Sequence, residues 1–325
     1  MKRKTKMVLI FSVSCIAAGA LLTGAGRLWG GYPGFAWTRN GIVTASTSSD
    51  PYSMEKTPVD DLTSVEINIG SAADISILPS DDGKFYLEYL LDGAYDSPKF
   101  EISSGRLTLQ QDEGTAPGGI FLFGSGLNFG SGFGIKDVSP YVRLYVPSDS
   151  MLSDVSAYSD AGSVEARNLS AGKASFSASF GDLTLDNCIF DSLEAVTDSG
   201  SIEGSDIQTG TLIAENDFGS TAFRSTAVTS ARITASSGDI LLEAQGLKTL
   251  EGSNDFGDTR ICLSDPLSSY SCNLSADFGD IILPDDVSGG HVSGGFVEGS
   301  YTSEGSQDRQ ITFTASAGEI EIEER

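Results

Sequence analysis

Most titratable side chains in this sequence are carboxylates: 45 Asp and Glu stand against 20 Lys and Arg, with one histidine, His291. The densest set is Asp255, Asp258, Asp277 and Asp280, carried by the segments Asp255-Phe256-Gly257-Asp258 and Asp277-Phe278-Gly279-Asp280. Four adjacent carboxylates would suit a hard cation such as calcium, which takes several oxygen ligands. The competing and preferred reading is that these acids are solvated or accept hydrogen bonds from turn amides. Asp-Phe-Gly is also a kinase triplet, but no His-Arg-Asp loop or glycine-rich nucleotide loop accompanies it. A serine triad would have only His291 to use. Paired carboxylates could cleave a polysaccharide, yet acids are so plentiful that no pair is singled out. No catalytic, cofactor-binding or metal-binding residue is therefore assigned, and the chain is expected not to be an enzyme.

What positions these acids is a repeat. A glycine followed by Ser, Asp or Glu and a short apolar stretch recurs at Gly162, Gly181, Gly200, Gly219, Gly238, Gly257, Gly279 and Gly318. The gaps are 19 five times, then 22 and 39. The last is close to two periods, so a degenerate coil around His291 to Gly299 is expected to fill it. Around each glycine the apolar positions alternate with polar ones, the period of strands. Seven residues before it stand residues such as Val155, Leu193 and Ile311, and two after it Val164, Ile202 and Ile320. Nineteen residues cannot bury a face alone, so the units must stack. The expected fold is an all-β parallel β-solenoid (a single-stranded β-helix with 19-residue coils). A propeller would need blades of roughly 40–45 residues.

Two further columns flank the corner glycines. In the first five coils each corner carries one acid and one Ser, as Asp160 with Ser163 or Ser179 with Asp182. Stacked like charges repel, and splitting them between columns relieves part of that repulsion. Immediately before the glycine the residues run Ala161, Phe180, Ser199, Phe218, Ser237, Phe256, Phe278 and Ala317. Outward rings would form a stripe able to stack on sugars or meet a partner. The preferred expectation is that they fold over the corner and cap the core.

The remaining segments set location. Lys2, Arg3, Lys4 and Lys6 precede an uncharged run, residues 7–26, long enough to cross a bilayer. The basic tail places the N-terminus in the cytoplasm and everything after it outside. The division expected is residues 1–27 as basic tail and transmembrane signal anchor, 28–61 as linker, 62–145 as an irregular β region and 146–325 as solenoid. A cleaved signal peptide, or lipidation at Cys15, are the alternatives for the first segment. Residues 114–134 are uncharged, glycine-rich and aromatic, with Phe121, Phe123, Phe129 and Phe133. They read either as a surface touching the membrane or a partner, or as an inserted loop. A Cys262–Cys272 disulfide and buried free thiols are both open readings for the exported cysteines. The formal net charge of −25 argues against nucleic acid as a partner.

The ordered series Val65-Glu66-Ile67-Asn68-Ile69-Gly70, Ser104-Gly105-Arg106-Leu107-Thr108-Leu109 and Val142-Arg143-Leu144-Tyr145-Val146-Pro147, followed by the glycine repeats, resembles the bacterial putative-adhesin family. These are β-strand-repeat domains of unknown function in Gram-positive envelope proteins, and the resemblance covers roughly residues 62–325. It implies an extracytoplasmic β-solenoid with a role in surface interaction or envelope stress, and it brings no catalytic residues. The chain is thus expected to be a single-pass protein of the cell membrane, with its acidic C-terminal domain extracellular. Its expected partners are the lipid bilayer, through the N-terminal helix, and an envelope protein or glycan. The alternatives are a structural scaffold of a membrane complex or an enzyme that cleaves envelope polysaccharide.

Overall fold

Alternating apolar residues broken by a regular glycine fold as strands that meet at a corner. The computed structural model describes residues 50–93, 95–112, 139–284 and 299–325, with the backbone of Phe35–Thr38, Gly41–Thr44, Gly118–Phe123, Gly126–Ser131 and Gly290–Gly294. The described residues are all-β, apart from a 3-10 turn at Leu267–Ser269. Each repeat contributes a long strand before its glycine, such as Ile189–Ser199, and a short one after it, such as Ile202–Ser205. Both pair in parallel with their equivalents 19 residues on: Leu193 lies beside Leu212, and Ile202 beside Thr221. The repeats therefore stack as solenoid coils, here called by their corner glycines. Val155, Leu193 and Ile311 are buried, as are Val164, Ile202 and Ile320 across the corner.

The glycine is required by close approach. A methyl group on Gly219 would overlap the carbonyl oxygen of Gly200, and one on Gly257 would overlap that of Gly238. Gly219 also has φ +139, which a side chain disfavours. The carbonyls so approached are partly satisfied from inside. Ser159 donates to Ala73 O (2.8 Å), Thr197 to Gly181 O (3.2 Å), Asn216 to Gly200 O (3.1 Å) and Asn254 to Gly238 O (3.0 Å). All four polar side chains are buried, three residues before their glycines.

A second corner follows each short strand in the first four coils. Asn168, Asn187, Asp206 and Ser225 take φ between 50 and 54 there, a left-handed conformation that short polar side chains tolerate best after glycine. Asn187 Nδ2 donates to Asn168 Oδ1 one coil away (2.6 Å). The next residues, Leu169, Cys188, Ile207 and Thr226, turn into the core.

The coils are not stacked throughout in sequence order. Strand Ser306–Ala317 pairs in parallel with Thr249–Phe256 on one side and with Tyr270–Phe278 on the other. Ile320–Glu324 likewise lies between Thr259–Leu263 and Ile281–Ile282. The Gly318 coil is thus inserted between the Gly257 and Gly279 coils. The 22-residue gap supplies the step over the vacant layer, through the turn at Leu267–Ser269. Large and small side chains match in this order: Gly252 leaves room for the ring of Phe313, its neighbour in the inserted coil.

The degenerate coil expected around His291 is not formed. Gly290–Gly294 pairs antiparallel with Gly299–Ser303, which pairs antiparallel with Tyr270–Phe278. The segment is a hairpin that closes one end of the long-strand sheet. At the other end, Ser64–Ile69 and Asp74–Ser80 add a coil against the Gly162 coil. Beyond it lie antiparallel pairs, the hairpin Lys99–Ser103 with Arg106–Gln111 and the pair Tyr52–Val59 with Phe85–Leu91. Lys56 and Pro58 on the edge strand discourage further strand addition.

Gly219→Ala should lower the unfolding free energy by more than about 2 kcal/mol, because backbone must shift to admit the methyl group. Gly246→Ala, at φ +72 with open space around it, should cost no more than about 1–2 kcal/mol. Urea midpoints of the two variants check the difference.

Candidate functional site

The inserted coil changes what the corner displays. In sequence order Phe256 and Phe278 occupy consecutive repeats; in space Ala317 stands between them, paired to both. The column before the glycines therefore reads Ala161, Phe180, Ser199, Phe218, Ser237, Phe256, Ala317, Phe278 along the stack. Phe occupies strictly every second coil. Two coil spacings put successive rings about 9.6 Å apart, and the four rings span about 29 Å.

The rings point outward. Phe180, Phe218, Phe256 and Phe278 are 62%, 63%, 64% and 69% exposed. This corrects the expectation that they fold over the corner. The corner interior is already filled by the buried residue three before each glycine, such as Ala178 or Asn254, leaving the ring no inward space. The surface is a ridge of four aromatic knobs separated by Ser or Ala.

Carboxylates flank the ridge, but the four acids considered for a cation, Asp255, Asp258, Asp277 and Asp280, are not gathered into one cluster. The inserted coil puts Ser316 and Glu319 between the pairs Asp255–Asp258 and Asp277–Asp280. Ser316 Oγ donates to Asp255 Oδ1 (3.2 Å), and the Glu319 amide donates to Asp258 Oδ1 (3.0 Å). The candidate cation set is thereby divided, and no described group of three or more His, Cys, Asp or Glu is arranged to hold a metal ion. The same capping runs up the column: the Ser201 amide donates to Asp182 (2.8 Å), and the Asp258 amide to Asp239 (3.0 Å). Each such side chain caps the corner of the neighbouring coil. The regular Asp-or-Ser choice one residue after the glycine was the sequence signal for this ladder.

Other candidate chemistry is placed unfavourably. Asp82 and Asp112 are held below the usual carboxylate range, chiefly by hydrogen bonds from the Tyr86 hydroxyl and the Lys99 ammonium group. A general acid needs the opposite shift. Cys188, Cys262 and Cys272 are buried free thiols, so the Cys262–Cys272 bridge is not formed. Burial pushes the thiols of Cys188 and Cys262 up to about 11, where they are poor nucleophiles at neutral pH. The backbone of His291 lies in the terminal hairpin. Within 114–134, Gly118–Phe123 pairs antiparallel with Gly126–Ser131, separately from the main sheet. The apolar run 7–26 lies outside the described residues, and no described helix is long and apolar enough to cross a membrane.

The sequence profile described as Toastrack DUF4097 matches residues 62–323. No curated protein matches the sequence. Among solved structures, similarity is found to a putative adhesin from Parabacteroides distasonis, at 11% identity and TM-score 0.47, covering 84% of this chain and 97% of that one. A putative lipid binding protein from the same organism is 14% identical at TM-score 0.44, covering 85% and 94%. A putative adhesin from Parabacteroides merdae is 12% identical at TM-score 0.42, covering 85% and 97%.

Because its ring is exposed, Phe218→Ser should change the unfolding free energy by no more than about 0.5 kcal/mol. Chemical denaturation of the variant checks this. Cys188 and Cys262 should resist alkylation in the folded chain at pH 8, reacting only as the pH approaches 11 or on unfolding. Mass spectrometry after iodoacetamide treatment reads both states.

Proposed function

We infer the role of this chain from its membership and its surface together: the chain belongs to the Toastrack DUF4097 family, and it displays a periodic aromatic ridge. It acts as a non-enzymatic, adhesin-like interaction module on the outer face of the cell membrane, held there by the apolar run 7–26. The observation that carries this reading is the exposure of four Phe rings at strictly alternate coils. Exposed apolar groups in a row mark a contact surface, whereas scattered ones do not.

The solenoid supplies rigidity. Strand pairing on both sides of each long strand fixes the backbone beneath the rings before any partner arrives, so little ordering entropy is lost on contact. The strong negative charge keeps the rod soluble and discourages contact with other anionic surfaces. A purely structural scaffold built end to end is less well supported. Antiparallel hairpins occupy the ends of the long-strand sheet, where an assembling rod would need open parallel edges.

The test is recovery of envelope material on the immobilised full-length chain. Replacing Phe180, Phe218, Phe256 and Phe278 together by Ser should cut recovery at least tenfold while leaving the melting transition in place. Equal recovery by both proteins would remove the ridge as the contact surface.

A further inference from the structure

We propose that the phenylalanine ridge binds an extended, neutral, β-linked polysaccharide lying along the solenoid axis; this rests on the reading of the ridge as a contact surface. The period is the first argument. Rings at every second coil are about 9.6 Å apart, a length close to two pyranose residues end to end. In an extended β-1,4-linked glycan each sugar is turned over relative to the last, so the same face recurs at every second residue. One ring per two sugars therefore meets equivalent C–H faces all along the chain. Those C–H groups carry partial positive charge and suit the negative face of an aromatic ring.

The residues between and beside the rings complete the surface. Ser199 and Ser237 leave shallow gaps with a hydroxyl in each, and neither is fully buried. Exposed carboxylates, among them Asp217 and Asp255, stand next to the ridge. They are acceptors suited to sugar hydroxyls, and they repel phosphate- or carboxylate-bearing polymers. The ligand is therefore neutral.

A second copy of the chain is the main competitor, since knobs could enter the Ser and Ala gaps of another ridge. Area and charge both disfavour it. Four rings at these exposures offer roughly 400–650 Å², below the ~800 Å² per partner of a standard protein interface. Pairing ridges would also bring two rows of carboxylates together without cations between them.

The experiment measures binding of the full-length chain, kept in mild detergent, to insoluble cellulose and to soluble β-linked glucan oligomers of increasing length. Amylose, an α-linked helical glucan, and hyaluronan, a β-linked but anionic glycan, are the controls. Cellulose should bind and both controls should not. Oligomer affinity should rise with length until all four rings are covered, and each Phe→Ser replacement should weaken it about two- to tenfold. A variant combining Ser237→Phe with Phe256→Ser keeps four rings but breaks the period, and should bind as weakly as a chain that has lost a ring. Undiminished binding by that variant, or equal binding to amylose, overturns the proposal. So does sedimentation showing a wild-type dimer that Phe218→Ser dissociates. Failure on β-glucans with Phe-dependent recovery of envelope material intact overturns the glycan assignment alone. Loss of Phe dependence in both assays overturns the contact-surface reading as well.

Discussion

Everything in this rod depends on how closely one corner can sit on the next. Each corner glycine lies against the carbonyl of the coil beneath, where any side-chain carbon would collide. That approach lets the strands next to the corner keep parallel register from coil to coil. It also leaves carbonyls turned toward a narrow interior, where unpaired acceptors would be costly. Ser159, Thr197, Asn216 and Asn254 meet four of them from within. The corner is thus held by a backbone contact outside and a buried polar side chain inside.

The same geometry decides what the acids do. A column of carboxylates at coil spacing would be strained by repulsion, yet here several accept an amide from the neighbouring coil. Asp182, Asp239 and Asp258 each spend an oxygen on a turn N–H. The corner acidity is thereby tied to backbone capping, and its regularity follows from the regularity of the turns rather than from a ligand. Phe carries no such duty. Its ring sits where capping and core filling are already complete, which is why it is free to face outward.

Much of the fold was legible because a 19-residue glycine period and a two-residue apolar alternation are local signals. Residues such as Leu193, Leu212, Ile202 and Ile320 could be assigned inward from spacing alone. The second corner was also written, in Asn168, Asn187 and Asp206, but only as a column of turn formers whose left-handed backbone sequence does not state. The order of the final coils was the hidden part. Which coil lies beside which is a matter of pairing between distant segments. The 22-residue gap shows that something differs after Leu263, but not that Ser306–Ala317 enters there. The four-acid cluster and the broken Phe alternation were both consequences of assuming sequential stacking. Once the inserted coil is in place, the first disappears and the second becomes regular.

That insertion has a temporal side. Coils up to Gly257 can add one after another in the order in which they are made. The Gly279 coil cannot, because its place against the stack is reached only through the layer formed by residues 306–324. Until those later residues arrive, Tyr270–Phe278 has no parallel neighbour and Phe278 cannot take its station as the fourth ring. The pairing order lets the solenoid add coil on coil for most of its length, and leaves one layer that only the last residues can fill.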